Sequence, residues 1–297
     1  MTAASVDFTK LADREMWRAF APRLHIEDTA FLDSTKLVGL DPAQQAPLRA
    51  QLTTEGYIHA SGVDWSVDLN LMAQTVRDLT AARLPPVCAF VYDEFWAPFR
   101  ALAPVFQLLM GDYAMLPDMW VWDIDPQAND AGWTPHRDKG HVTLAPNKSP
   151  LSLTAWIPLT AATPLNSCIY VVPAMLDPTY GTQREGEWRF DLGSIRALPA
   201  TTGDFLMWTQ ALLHWGSKSS VRAKEHRVSI AFEFQRTGIR AFREPLLNPQ
   251  TMIPFDARLR LIQAQIQQYS HMHASKGYAA IAQQLMQALN AKSAAQT

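Results

Sequence analysis

Six short segments between Trp120 and Gln235 carry the pattern of β-strands, and no helical segment separates them. They are rich in Val, Ile, Thr, Trp and Phe and are interrupted by Pro, Gly and Asn. They cover residues 120–125, 133–138, 151–159, 167–172, 204–208 and 227–235. A parallel sheet needs a crossover between successive strands, usually a helix. The pattern therefore predicts an antiparallel sandwich, jelly roll or barrel.

Helical patterns flank these segments on both sides. The clearest covers residues 67–83, where apolar residues recur at spacings of three and four. Further helices are predicted over residues 12–20, 98–109, 255–269 and 278–289. We therefore expect one α+β domain over residues 1–297, with a mainly helical part over 1–115, a β core over 116–236 and a helical tail over 237–297.

Composition excludes several classes of protein. Hydrophobic residues make up 48% of the chain and charged residues 18%, so a packed core is expected rather than disorder. The net charge of −2 gives no basic surplus for a nucleic-acid partner. Cys88 and Cys168 are too few for a thiolate zinc site or a disulfide framework. No apolar stretch approaches the roughly 20 residues of a membrane span, and no signal-peptide pattern is evident. We expect a cytoplasmic protein.

The first candidate site lies in residues 132–139, which read Gly-Trp-Thr-Pro-His-Arg-Asp-Lys. If this segment is a strand, His136 and Asp138 project from the same face. An imidazole beside a carboxylate supplies two of the three ligands of the 2-His-1-carboxylate triad that binds non-haem Fe(II). The pair alone is a common chance pattern, and the alternative interpretation is a solvated loop.

The third ligand is expected from a strand that returns beside the first. His214 is the best candidate, because it follows a turn and an apolar strand over residues 203–208. Taken alone, a histidine at this place is better explained as a hydrogen-bonded core residue.

A second polar position lies on the strand that begins at Arg227. Its alternation puts Val228 on one face and Arg227 with Ser229 on the other. An arginine on an inward face needs an anion, because an unpaired buried charge is costly. The planar guanidinium suits a carboxylate, here that of a 2-oxo-dicarboxylic acid, and Ser229 adds a hydroxyl. The alternatives are an exposed Arg227 paired with Glu225 or Glu233, and Arg222 as the anion-binding residue.

With these residues identified, the chain resembles the phytanoyl-CoA dioxygenase family of Fe(II)/2-oxoglutarate oxygenases over about residues 115–236. Five segments match in the family's order, namely residues 133–138, 151–159, 166–173, 203–214 and Arg227. Two departures stand out: Ser167 replaces the family's usual Gly, and Ala174-Met175 replaces its Gly-Ser.

The resemblance implies a double-stranded β-helix, or cupin-like jelly roll, with flanking helices. It implies that His136, Asp138 and His214 bind Fe(II). It further implies that Arg227, with Ser229 and Trp156, binds 2-oxoglutarate. The expected reaction uses O2 to oxidise, by hydroxylation, a C–H bond of a small organic or natural-product substrate, with release of succinate and CO2. The intact Asp138 carboxylate argues against halogenation.

Two other functions fit the same residues. One is a β-barrel protein that binds a carboxylated ligand without turnover, and the other is a cupin-type metalloenzyme that works without 2-oxoglutarate. Trp120 and Trp122 share a strand face and belong either to the core or to a hydrophobic substrate cavity. We expect a monomer or a homodimer.

Overall fold

Two antiparallel sheets form the centre of the protein in the computed structural model, which describes residues 7–271 and 277–294. The strands are β1 Tyr57–Ala60, β2 Tyr113–Ile124, β3 Ser152–Pro158, β4 Ile169–Val172, β5 Arg196–Leu198, β6 Phe205–Thr209, β7 Leu213–Gly216 and β8 Arg227–Arg236. The larger sheet has the order β1-β6-β3-β8-β2 and the smaller one the order β5-β4-β7. The chain passes from the larger to the smaller sheet through a short turn between β6 and β7.

Helices precede and follow this β core. They are α1 Arg14–Phe20, α2 Thr29–Asp33, α3 Pro42–Glu55, α4 Leu69–Ala81, α5 Ala97–Ala101, α6 Ala103–Met110, α7 Phe255–Gln268 and α8 Tyr278–Ala294. Aspartates cap several of their N-termini; the Asp68 side chain, for example, accepts a hydrogen bond from the Leu71 N–H at the start of α4. No helix in the described ranges is long and apolar enough to cross a bilayer.

The two faces of β8 have separate roles. Val228, Ile230, Phe232 and Phe234 belong to the large apolar core that the sheet shares with the helices. Aromatic contacts dominate this core, and the rings of Phe234 and Phe106 lie 3.9 Å apart. The opposite face carries Arg227, Ser229, Ala231 and Glu233, and Ala231 packs in a second cluster that joins the two sheets. The predicted alternation of this strand is confirmed.

Two sequence expectations need correction, and one helix was missed. Residues 133–138 are not a strand but an extended loop with an isolated bridge at His136, because Pro135 has no N–H for a ladder hydrogen bond. The helix predicted over 98–109 is divided into α5 and α6, and Pro104 at the start of α6 cannot donate within a continuous helix. Helix α3 was not predicted, since it contains Pro47 and has no clear apolar stripe. The single-domain division stays a prediction.

Candidate metal centre

His136, Asp138 and His214 lie together although the first and the last are 78 positions apart in the sequence. The backbones of His136 and His214 exchange two hydrogen bonds of 3.0 Å, which dock the loop after β2 onto β7. One nitrogen from each imidazole and one carboxylate oxygen lie within 4.8 Å of one another. The structure therefore brings the three sequence-predicted ligand positions to one point.

Hydrogen bonds set the orientation of both imidazoles. His136 Nδ1 lies 2.7 Å from the Thr134 carbonyl oxygen, and His214 Nδ1 lies 3.0 Å from the Leu212 carbonyl oxygen. Because a carbonyl only accepts, each Nδ1 carries a proton, and Nε2 is the nitrogen that each imidazole can offer to a metal. The two Nε2 atoms lie 3.4 and 3.5 Å from Asp138 Oδ1. This is the arrangement expected of metal-binding histidines with carbonyl partners.

The two oxygens of Asp138 have different partners. Oδ2 accepts hydrogen bonds from Thr154 Oγ1 at 2.6 Å and from Trp208 Nε1 at 3.0 Å. Oδ1 faces the two imidazoles. Thr154 and Trp208 were not predicted from the sequence. They are register partners in β3 and β6, and this cross-strand pairing has no local sequence signal.

The charges of the site favour a cation. Burial lowers the pKa of His214 to about 4, which keeps its imidazole neutral at neutral pH. Burial alone would raise the pKa of Asp138, but His214, His136 and Thr154 together outweigh it and hold the pKa below its usual range. Two nitrogen lone pairs and an ionised carboxylate form a donor set that fits Fe(II), with its other side open to a cavity.

Arg227 is a buried guanidinium with only neutral partners. It is 1% exposed, and its Nη atoms donate to Ser229 Oγ at 2.5 Å and to Ser167 Oγ at 3.4 Å. Its Nε has no hydrogen-bond partner, and among the described residues no carboxylate pairs with it. Burial lowers its pKa to about 10. The alternative of an exposed Arg227 is wrong, and Glu233 instead pairs with Lys139.

One cavity connects Arg227 to the three candidate ligands. Its volume is about 480 Å³ including the space at its open mouth. Trp156 lies against it with the Arg227 Cζ 5.9 Å from its ring, and its indole N–H is buried without an acceptor. The mouth has an aromatic wall, which we define as Trp120, Trp122 and Trp133. The rings of Trp120 and Trp133 lie 5.0 Å apart.

The departure at Ser167 also contributes to this cavity. Ser167 has a φ of +75°, a conformation that usually favours glycine. Its hydroxyl accepts hydrogen bonds from the Gly132 N–H at 3.1 Å and from Arg227. Serine therefore occupies a glycine-type turn here and adds a polar group beside the guanidinium.

Comparison with known proteins assigns the chain to a family. The model of the phytanoyl-CoA dioxygenase (PhyH) family matches residues 64–222, which is more than half of the chain. The matched range contains all three candidate ligands and ends before Arg227. No curated protein sequence matches.

Solved structures share the fold. The non-heme α-ketoglutarate-dependent epimerase SnoN from nogalamycin biosynthesis has a TM-score of 0.53 at 20% identity, over 71% of this chain and 95% of its own. The apo form of the non-heme monooxygenase ThoJ has a TM-score of 0.53 at 12% identity, covering 74% and 99%. EctD from S. alaskensis has a TM-score of 0.50 at 15% identity, covering 74% and 92%.

These similarities confirm the predicted fold of a double-stranded β-helix with flanking helices. The His-Asp-His donor set and the family match both indicate chemistry that depends on a bound iron ion. The chain belongs to the phytanoyl-CoA dioxygenase family of Fe(II)- and 2-oxoglutarate-dependent oxygenases.

Proposed function

We propose that this oxygenase binds Fe(II) through His136, Asp138 and His214 and hydroxylates a C–H bond of a small organic substrate. One observation carries the proposal: a single cavity joins a triad of preorganised donors to a buried arginine that lacks an anion. When bound there, Fe(II) supplies the redox chemistry by which 2-oxoglutarate, O2 and a C–H bond give succinate, CO2 and an alcohol.

Arg227 binds the distal carboxylate of 2-oxoglutarate in this proposal. Its hydrogen-bond partners, Ser229 and Ser167, are neutral, and the Asp123 carboxylate attracts its charge only from beyond ion-pair distance. A carboxylate at this point satisfies the charge and the open Nε–H together. The buried N–H of Trp156 is a second donor without an acceptor at the same end of the cavity. These unsatisfied donors orient a dicarboxylic acid with its other end toward the triad.

The aromatic wall limits the class of substrate. Once the triad and Arg227 are assigned, no other charged side chain among the described residues lines the cavity. The three indoles of the wall exclude water and offer flat apolar faces. We infer that the part of the substrate that reacts is uncharged and apolar. The net charge of −2 gives no basic surplus for a nucleic-acid partner. We propose a cytoplasmic protein that is a monomer or a homodimer.

Anaerobic titration with Fe(II) and then 2-oxoglutarate tests this function. We expect a visible charge-transfer band that is absent from His136→Ala, because that variant loses one donor. Absence of the band in the unaltered protein, together with unchanged metal affinity in His136→Ala, would contradict the proposal.

Succinate release separates the proposal from its two alternatives. A ligand-binding barrel binds 2-oxoglutarate at Arg227 but releases no succinate. A cupin-type metalloenzyme turns over whether or not 2-oxoglutarate is present. Only the proposed oxygenase gives succinate release that depends on O2 and increases with an oxidisable substrate.

A further inference from the structure

Gln210 occupies the turn by which the chain leaves β6 and enters β7. Its side chain is fully buried, and every donor and acceptor atom of its amide group has a hydrogen-bond partner. Oε1 accepts a hydrogen bond from Ser152 Oγ at 2.6 Å. Nε2 donates to Glu233 Oε2 at 2.6 Å and to Thr154 Oγ1 at 3.2 Å. A buried amide with complete hydrogen bonding has a fixed orientation.

The hydrogen bonds lead from Gln210 toward Asp138 in one direction. The ionised Asp138 carboxylate only accepts, so Thr154 gives its single hydroxyl proton to Oδ2. The Thr154 oxygen then accepts from the Gln210 amide. Glu233, which is held by Lys139, accepts the other amide proton. The Gln210 amide therefore holds the Thr154 hydroxyl from its acceptor side while the hydroxyl proton points to Asp138.

Gln210 also contacts the backbone beside Asp138. The backbone carbonyl oxygen of Gln210 accepts hydrogen bonds from the N–H groups of Lys139 at 3.2 Å and of Gly140 at 3.0 Å. Gly140 has a φ of +74°, and a Cβ there would lie 2.1 Å from a Glu185 carboxylate oxygen. The segment that follows Asp138 is thus fixed to the same residue that orients its hydrogen-bond donor.

We propose that Gln210 is a positioning residue, acting through Thr154, that holds Asp138 with Oδ1 alone facing the metal. The inference rests on the proposed function, since it assumes that the triad binds a cation. A carboxylate free to rotate can offer both oxygens and close positions that the cosubstrate needs. Hydrogen bonds on Oδ2 prevent this rotation, and the amide keeps the donor in place.

The affinity of the metal-free protein for Co²⁺, measured by calorimetry, tests this role. Thr154→Val removes the hydroxyl at nearly constant shape, and we expect a loss of about 10- to 100-fold. Gln210→Met removes the hydrogen bond to Thr154, one step further from Asp138, and we expect a smaller loss of Co²⁺ affinity, about three- to tenfold. Thr154→Ser retains the hydroxyl, and we expect it to bind Co²⁺ as tightly as the unaltered protein. The absorption spectrum of the Co²⁺-loaded protein should change in the first two variants only.

Gln235→Met is the matched control. Gln235 is also a fully buried glutamine on the barrel, but its Oε1 accepts from the Phe242 N–H instead of serving the triad. We expect it to lower thermal stability without changing Co²⁺ affinity. If Gln210→Met fails to fold, Gln210→Glu replaces it, because a glutamic acid has at most one proton for Thr154 and Glu233 together.

A double-mutant cycle decides whether Gln210 acts through Thr154. We expect Gln210→Met with Thr154→Val to bind Co²⁺ like Thr154→Val alone, within about twofold. Independent, multiplying losses would overturn the proposal, as would a Gln210→Met affinity equal to that of the unaltered protein. His136→Ala is measured in parallel: if it binds Co²⁺ normally, the metal assignment itself fails, whatever Gln210 does.

Discussion

At the scale of single residues, two buried arginines of this chain differ in their partners. Arg227 has only hydroxyl partners, whereas Arg258, equally buried, pairs with Asp93 at 2.6 Å. An unpaired buried charge opposes folding, while removal of one member of a buried pair leaves the other uncompensated. The two side chains should therefore respond in opposite ways to the same substitution.

Arg227→Met tests this contrast. We expect thermal stability of the ligand-free protein to stay equal or rise, because a desolvated charge is removed. We expect 2-oxoglutarate binding to weaken by about 10- to 150-fold, from the loss of hydrogen bonds to a charged group worth about 1.5–3 kcal/mol. Denaturation curves and 2-oxoglutarate titrations measure the two effects.

Arg258→Met is its control and should cost about 3–5 kcal/mol of unfolding free energy with little effect on 2-oxoglutarate affinity. Strong destabilisation by Arg227→Met with unchanged 2-oxoglutarate affinity would mean that Arg227 is a structural residue.

At the scale of elements, the loop that carries His136 and Asp138 depends on close contact with β7. A Cβ on Gly132 would lie 2.5 Å from the Gly216 Cα, so the two backbones meet where any side chain would separate them. This contact leads directly into the paired backbones of His136 and His214. The placement of His136 beside His214 therefore depends on two glycines, which have no side chain to keep the backbones apart.

Gly132→Ala should lower the unfolding free energy by about 1–3 kcal/mol through overpacking and weaken Co²⁺ binding as well. Gly39→Ala is the matched control, because a Cβ there meets nothing within 4 Å. We expect that variant to be neutral or slightly stabilising. Chemical denaturation and calorimetry on both variants provide the comparison, and equal behaviour of the two would rule out the close-contact explanation.

The same elements show what the sequence could predict. The period-2 alternation of residues 227–235 predicted β8 and both of its faces, because each face meets a different environment. The pair at 136 and 138 was visible from local spacing. Thr154, Trp208 and Gln210 were not, since their roles arise from the register of β3, β6 and β8. Register depends on contacts distant in sequence, whereas the loop conformation of residues 133–138 has a local cause in Pro135.

At the scale of the whole molecule, the candidate ligands join separate parts of the barrel. His214 belongs to the smaller sheet, while Asp138 is hydrogen-bonded to Thr154 and Trp208 of the larger one. A cation at this point would connect the two sheets, and binding to the folded state alone stabilises it.

Added Co²⁺ should therefore raise the thermal midpoint of the metal-free protein. A free Co²⁺ concentration of 100 times the Kd increases the free energy of unfolding by about 2.7 kcal/mol, which raises the thermal midpoint by several degrees. EDTA should reverse the shift, and His214→Ala should lose it. A shift that persists in His214→Ala would place the stabilising cation elsewhere on the protein.

The aromatic wall has a further consequence for how this enzyme can change over evolution. Trp120, Trp122 and Trp133 are only half-buried, whereas Phe232 and Phe234, on the face of β8 that joins the large apolar core, are fully buried. Replacing an indole of the wall therefore sacrifices little folding free energy compared with replacing Phe232 or Phe234. Substrate preference can drift through mutations at these positions while the barrel and its iron chemistry persist.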